Sequence, residues 1–216
     1  MSWSTKKTSL AFFCVVIMVA GIIAVTVVLT GTSSTKEVEL SDYKKKPFGD
    51  VLIMRHATAP GGGDPPMFDL NNCSTQRNLD QSGINMARKI GEDLSKSGIH
   101  IGSVIYSSQW CRCLDTAKVI AAELNSTRKY TVESSRGLNS FYQPELGGFT
   151  KDTCLKWLDE DILNKLKTMP LEEKGALQVL MVTHKVTVAA VTGIQVDSGG
   201  IVAYNSATGE SKLLNL

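Results

Sequence analysis

Three polar clusters of the sequence each follow directly on a short apolar segment. Arg55 and His56 follow one such segment, a second cluster ends in Arg112, and a third ends in His184. Ligands of open α/β sheets bind beyond the carboxyl ends of the strands, so these side chains could meet at one edge. Buried arginine needs an anionic partner, and phosphate oxygens match guanidinium donors bidentately. The residue types therefore indicate a site for a phosphate dianion.

Other phosphate chemistries do not fit the spacing. The glycines at 61–63 lack the Gly-Lys-Ser/Thr ending of a P-loop, neither Cys73 nor Cys111 begins a Cys-x5-Arg motif, and no Gly-x-Ser-x-Gly elbow occurs. The third histidine, His100, lies in a predicted connection between a helix and a strand. Two histidines and scattered aspartates make a poor metal site, so we expect no metal and no cofactor. The net charge of +2 gives no reason to expect a nucleic-acid partner.

Alternating strand and helix patterns predict the elements that would position these clusters. Apolar runs predict strands at 51–54, 104–106, 130–132 and 177–182, with a closing pair near 201–204 and 212–214. Helical periodicity follows at 80–97, 116–124 and 152–166. This alternation predicts an α/β domain with a mostly parallel sheet.

The N-terminal part predicts a membrane attachment. Residues 1–9 form a short basic tail, and residues 10–30 are apolar and uncharged, long enough to cross a bilayer core of about 30 Å. We interpret residues 10–30 as one transmembrane signal anchor, with a cleaved secretory signal as the alternative. Residues 31–48 read as a linker and 49–216 as the domain. The lysines on both sides nearly balance, and we expect the domain on the extracytoplasmic side.

Four motifs together resemble the histidine phosphatase superfamily, whose fold is phosphoglycerate mutase-like. Arg55-His56-Ala57 is similar to its Arg-His-Gly signature, with Ala57 in place of the glycine. Residues 79–83 are similar to the start of a helix in that family, and residues 106–117 are similar to its Ser-Ser-x-x-x-Arg-x-x-x-Thr-Ala stretch. Residues 182–184 are similar to the strand end that carries the family's second histidine. The compact size resembles the small phosphatase branch. The resemblance implies a three-layer α/β domain.

The resemblance also implies roles for the clustered residues. His56 would attack phosphorus and become transiently phosphorylated, while Arg55, Arg112 and His184 would hold the phosphoryl oxygens. The activity implied is that of a histidine-type phosphatase, a phosphoric monoester hydrolase that needs no metal. Its substrate would be a small phosphorylated molecule or a phosphohistidine protein.

The general acid of the family is not at its usual place. Ser140 stands where many members carry a glutamate, and such an acid typically contributes about 10²–10⁴-fold. Glu145 and Asp64 are candidate substitutes. Alternatively, the substrate has an easier leaving group, such as an anhydride or a phosphohistidine.

Three further features are open from the sequence. Thr58 could add a hydroxyl donor to the phosphate site or be an ordinary loop residue. Arg77 could bind phosphate or a second anionic group, or it could cap the following helix. In an exported domain Cys73 could pair with Cys111 or Cys113, although unpaired buried cysteines are an equal alternative.

Two other functions compatible with the motifs are a catalytically idle, membrane-tethered phosphate-binding module and a mutase. The missing glutamate favours the idle module, and the absence of long insertions disfavours the mutase. Retention of both histidines and both arginines favours the phosphatase.

Overall fold

The computed structural model describes residues 37–45, 47–124, 127–142, 148–168 and 177–216. The strands are β1 (Glu37–Glu39), β2 (Val51–Arg55), β3 (Ile101–Ser107), β4 (Thr131–Ser134), β5 (Gln178–Thr183), β6 (Ile201–Tyr204) and β7 (Ser211–Asn215). The helices are α1 (Leu40–Lys45), α2 (Gln81–Ser97), α3 (Cys111–Glu123), α4 (Lys151–Leu158), α5 (Asn164–Thr168) and α6 (Lys185–Thr192). Short 3-10 turns occupy Cys73–Thr75 and Arg136–Leu138, and a π-helical turn, Asp159–Leu163, joins α4 to α5.

The seven strands form one sheet in the order β1-β7-β6-β2-β5-β3-β4. Only β6 is antiparallel to its neighbours β2 and β7, and the other pairs are parallel. The predicted α/β domain with a mostly parallel sheet is therefore confirmed.

Helices cover both faces of the sheet. Alternate residues of β2 enter different cores: Leu52 and Met54 pack with apolar residues of α2 and α3. Val51 and Ile53 pack on the other face, with residues of α4, the π-helical turn and α6. Because β2 is buried on both faces, its sequence is wholly apolar and does not alternate.

Helix α2 begins and ends at residues that favour helix termini. The Asp80 side chain accepts a hydrogen bond from the backbone N–H of Gly83, and Gly98 follows the helix with φ 69°. A Cβ atom at Gly83 would overlap with the carbonyl oxygen of Thr58. The start of α2 therefore lies against the loop that leaves β2.

The segment at 37–45 differs from the predicted linker. These residues form β1, which pairs with β7, and α1, which places Tyr43 fully in the core. The Tyr43 hydroxyl lies 2.6 Å from Oε1 of Gln178, at the start of β5. The predicted anchor at 10–30 lies outside the described residues. Among the residues that are described, no helix has the length and apolar character needed to cross a membrane.

Candidate active site

The clustered residues predicted from the sequence meet at one edge of the sheet. Strands β2, β5 and β3 are neighbours and parallel, and the register pairs Arg55 with Thr183 and Ser107 with Val182. Their carboxyl ends therefore place the three clusters together. They line a cavity of about 230 Å³ whose wall includes Arg55, His56, Asp64, Arg77, Arg112 and His184.

His56 is held as one defined tautomer. Its ring is 3% exposed, and Nδ1 lies 2.7 Å from the carbonyl oxygen of Ala57, to which it can only donate. Nε2 therefore carries the lone pair, and it accepts a hydrogen bond of 3.2 Å from Nε of Arg112. Burial, followed by the charge of Arg112, lowers the pKa of His56 to about 3. At neutral pH the ring is uncharged, with its unprotonated nitrogen on the Arg112 side.

His184 is held by a short chain of hydrogen bonds that the sequence did not reveal. Asn139 Oδ1 accepts from the backbone N–H of Gln109 at 3.0 Å and from the hydroxyl of Ser108 at 3.2 Å. The Ser108 oxygen is then free to accept from Nε2 of His184, 2.8 Å away. His184 Nδ1 consequently presents its lone pair to Nη2 of Arg112 at 3.5 Å. Burial and then the Arg112 charge lower the pKa of His184 well below its usual value.

Asp64 is the carboxylate partner of Arg112. Nη1 of Arg112 donates to both carboxylate oxygens, at 2.8 and 3.1 Å, and the two side chains are 4% and 7% exposed. Trp110 Nε1 and the backbone N–H of Arg77 donate to the same carboxylate. Burial acts to raise the pKa of Asp64, but the hydrogen bonds and charge of Arg112 outweigh it and lower that pKa. A carboxylate held in this way is a poor proton donor.

Arg55 and Arg77 also line the cavity. Arg77 Nη1 donates to the carbonyl oxygens of Ala59 and Gly61, at 2.6 and 3.1 Å. The Nε atoms of Arg55 and Arg77 are buried and have no hydrogen-bond partner among the described residues. Three guanidiniums, the Lys185 ammonium and the Asp64 carboxylate leave a net charge of +3 in the cavity wall.

The remaining sequence candidates lie in different places. Ser140 lines the cavity, whereas Thr58 is not one of its lining residues and has its Oγ1 3.6 Å from Sδ of Met86. Glu145 lies outside the described residues. Thr116, which the sequence did not single out, accepts the backbone N–H of Ala57 at 3.1 Å and so holds the backbone next to His56.

A disulfide joins the cavity loop to helix α3. It links Cys73 to Cys111, one of the two pairings suggested by the sequence, with Cα atoms 5.7 Å apart. The backbone N–H of Cys111 also donates to Oε1 of Gln76. Both contacts fix residues 73–76 beside Arg112. Cys113 and Cys154 are unpaired and buried.

Comparisons with known proteins give matches in fold and one match to a protein family. No match is found among curated protein sequences. The chain is similar in fold to two solved structures described as mycobacterial hydrolases, with TM-scores of 0.52 and 0.51. They are 12% and 13% identical, and in both cases 76% of this chain is covered, against 95% and 87% of theirs. The protein histidine phosphatase SixA complexed with tungstate gives a TM-score of 0.49 at 18% identity, with 77% of this chain and 94% of that one covered.

The family model gives the more specific result. The model of the histidine phosphatase superfamily (branch 1) matches residues 51–159, which contain His56, Asp64 and Arg112. The match covers about half of the chain and includes the first two polar clusters. The chain therefore belongs to the histidine phosphatase superfamily.

Proposed function

We propose that the protein is a phosphatase that hydrolyses its substrate through a phosphohistidine on His56, without a metal ion. The observation that carries this proposal is the tautomer of His56. The Ala57 carbonyl holds the proton on Nδ1, so Nε2 carries the lone pair. The Nε–H of Arg112 that donates to Nε2 must turn to a phosphoryl oxygen before Nε2 can attack. A neutral imidazole nitrogen next to a phosphate-binding cation is the nucleophile that such chemistry requires.

The charge of the cavity supports a dianionic substrate group. Asp64 offsets one of the four cationic side chains in the wall, and the remaining charge of +3 favours binding of a phosphate dianion. Arg55 and Arg77 line the same cavity and supply cationic groups for its oxygens. Fixed donors of this kind stabilise the charge on the transferring group without a metal, and this is most of the catalysis in phosphoryl transfer.

The reaction would occur in two displacements. Nε2 of His56 attacks phosphorus, the N–P bond forms, and the P–O bond breaks with its electron pair leaving on the substrate oxygen. The Nδ1 proton stays on the ring, where the Ala57 carbonyl stabilises the positive charge of the phosphorylated imidazole. Water then attacks phosphorus, and the N–P bond breaks with its electron pair returning to Nε2. The phosphate leaves with both protons of that water, and the substrate oxyanion takes its proton from solvent.

Trapping the intermediate tests the proposal. Acetyl phosphate labelled in its phosphoryl group should transfer label to the full-length chain, in an acid-labile form that peptide mapping places on His56. His56→Ala should take up no label. His100→Ala, which changes an exposed histidine outside the cavity, should be labelled normally. Normal labelling of His56→Ala would overturn the proposal, and no labelling of any chain would favour the idle phosphate-binding module.

We also propose that residues 10–30 anchor the protein and that the domain lies on the extracytoplasmic side. The disulfide between Cys73 and Cys111 supports this side, because disulfides persist in oxidising compartments. In cells that make the protein, a protease added outside the membrane should cut the domain. Protection of the domain until the membrane is opened would contradict the proposal.

A further inference from the structure

Aromatic side chains form one wall of the cavity. Phe68, Trp110 and Tyr142 line it together with the polar residues. The ring centroids of Phe68 and Trp110 are 5.5 Å apart, and Trp110 is fixed by its hydrogen bond to Asp64. Phe149 packs behind Trp110 at 5.9 Å, edge to face. The rings therefore form a supported surface beside the cationic residues.

Two exposed apolar side chains belong to this wall or adjoin it in the sequence: Tyr142 lines the cavity, and Met67 precedes Phe68. Met67 is 91% exposed and Tyr142 is 72% exposed, and they are two of only four large hydrophobic side chains exposed among the described residues. Met67 has φ 63°, an unfavourable value for a residue with a side chain, in a turn where the Phe68 N–H donates to the Pro65 carbonyl. This turn holds Phe68 at the cavity. Neighbouring apolar side chains that are exposed to solvent are more frequent at ligand-binding sites than on the rest of a protein surface.

The polar part of the cavity indicates which leaving groups can depart. Asp64 is the only carboxyl group among the described lining residues, and Arg112 occupies both of its oxygens. Ser140 offers only a hydroxyl. The described lining residues thus offer no carboxyl group that is free to protonate the leaving oxygen. An alkoxide that leaves unprotonated is about as basic as hydroxide, because the pKa of water is about 15.7. A phenol, with a pKa of about 10 as in tyrosine, leaves as a stable anion.

The size of the cavity sets a further limit. Its volume of about 230 Å³ lies below the range of roughly 300–1,000 Å³ that drug-sized ligands need. A phosphoryl group with one ring suits this space. We propose that the substrates are phosphate monoesters of phenols, with the aromatic ring of the leaving group against Phe68, Trp110 and Tyr142. This inference rests on the phosphatase function proposed above.

A matched pair of substrates tests the leaving group. Phenyl phosphate and cyclohexyl phosphate each carry one six-membered ring, but only the first releases a weakly basic, aromatic leaving group. For the full-length chain we expect kcat/KM to be at least about 10²-fold higher for phenyl phosphate, the lower end of what a missing acid costs. Equal values for the two esters would overturn the inference. The variant Glu145→Gln removes a carboxyl group that lies outside the described residues. The ratio of kcat/KM for phenyl phosphate to kcat/KM for cyclohexyl phosphate should not change in this variant.

Variants of the wall test the ring contacts. Phe68→Leu and Tyr142→Leu should each lower kcat/KM for phenyl phosphate by about 3- to 10-fold, the contribution of one aromatic pair. Turnover of acetyl phosphate, which has no ring, should change less than twofold. Tyr142 is exposed, so its variant is expected to fold even if Phe68→Leu does not. Tyr130→Leu, at a half-buried tyrosine outside this cavity, is the control and should leave both substrates unaffected.

The outcomes separate this inference from the phosphatase function. Label on His56 from acetyl phosphate, together with equal losses for both substrates in the wall variants, would overturn the inference and leave the phosphatase function standing. Failure of every donor to label His56 would remove both. A phenyl preference of at least about 10²-fold, reduced about 3- to 10-fold by each wall variant with the acetyl phosphate rate retained, supports the inference.

Discussion

Arg112 contacts the two histidines and the Asp64 carboxylate in the cavity wall. Its Nε donates to His56, its Nη2 lies near His184, and its Nη1 donates to Asp64. A single guanidinium therefore contacts both histidines, and Asp64 fixes the guanidinium. The ion pair joins residues 48 positions apart, and Asp64 lies in a loop without periodicity. The sequence could therefore name Asp64 only as a candidate acid, and its contacts lead us to propose a positioning role instead.

The first prediction concerns Asp64→Asn. Removing the charge from one member of a buried ion pair typically costs about 3 kcal/mol or more, so we expect a decrease of about 3 kcal/mol in the free energy of unfolding. A looser Arg112 should lower kcat/KM by roughly 10- to 100-fold. The factor should be the same for phenyl and cyclohexyl phosphate, because Asp64 does not protonate the leaving group.

Chemical denaturation of Asp64→Asn measures its free energy of unfolding, and steady-state kinetics measure its kcat/KM for the two esters. Asp69→Asn, an exposed aspartate of the same loop, is the matched control and should change neither. A loss confined to cyclohexyl phosphate would instead identify Asp64 as the general acid.

The second prediction concerns proton uptake by His184. Burial and then the charge of Arg112 lower its pKa, so the ring is neutral at pH 7 and its Nδ1 lone pair would repel a bound oxyanion. A dianion offsets the arginine charges and raises this pKa, so binding should take up as much as one proton. Affinity should then fall as pH rises, by at most about tenfold per unit.

Sulfate is the suitable probe because its charge is constant across this pH range. Calorimetric titration at pH 7, in two buffers that differ in ionisation enthalpy, measures the protons taken up. His184→Gln should bind sulfate more weakly and take up none. Proton uptake that is unchanged in His184→Gln would contradict the assignment.

At the scale of elements, the sequence predicted the strands more fully than the connections. The apolar runs of β2 and β5 are visible because both faces of these strands are buried. Helix α3 starts at Cys111, five residues before the predicted start at 116, because its first turn carries Arg112 into the cavity and interrupts the apolar periodicity. Asn139 and Ser108 were not foreseen, since their hydrogen bond joins two loops 31 residues apart.

The disulfide gives the third prediction. Cys73 and Cys111 are separated by 38 residues, and a cross-link closing such a loop is expected to contribute roughly 3–4 kcal/mol. The double variant Cys73→Ser with Cys111→Ser should lose about that much in the free energy of unfolding. A reductant should destabilise the wild type by a similar amount and leave the double variant unchanged. A wild type insensitive to reductant would contradict this.

The fourth prediction concerns the contact between α2 and the loop after His56. Gly83→Ala would place a methyl group where the Thr58 carbonyl lies, so the backbone next to the nucleophile must shift. A displacement of about 1 Å near a reacting group can cost about 10²-fold in rate, and we expect a loss of that order in kcat/KM. Gly102→Ala is the control, because the nearest heavy atom to its Cβ is 3.7 Å away. Kinetics of both variants check the result, and an unaffected Gly83→Ala would show that the loop position is not critical.

At the scale of the whole molecule, the folded unit begins earlier than the sequence indicated. Residues 37–45 are polar and charged, so they resemble a linker, but Tyr43 alone enters the core. Its hydroxyl partner, Gln178, is 135 residues away. A single buried side chain in a short segment leaves no periodic signal, and for that reason the boundary at residue 49 was set too late.

The fifth prediction tests this boundary. Tyr43→Ala should lower the free energy of unfolding by about 3–5 kcal/mol, as for other large aromatic side chains removed from a core. Tyr43→Phe keeps the ring and loses only the hydroxyl, with its contacts to Gln178 and to the Phe48 carbonyl, so its loss should be about 1–2 kcal/mol. Thermal or chemical unfolding of the two variants measures the difference. Equal stability of Tyr43→Ala and the wild type would mean that α1 does not support the fold.

The short strand β1 has one more consequence, which concerns encounters between copies of the protein. It occupies one end of the sheet, with only three residues, two of them glutamates, and β4 at the other end has four. Exposed, long and uncharged outer strands recruit strands from other molecules and lead to fibrils, whereas short charged ones resist this. Shortening the chain to residue 49 would uncover β7, whose Leu213 and Leu214 would become open to such intermolecular pairing. Preparations cut at that point should consequently precipitate or form β-rich assemblies, even where phosphate transfer itself survives.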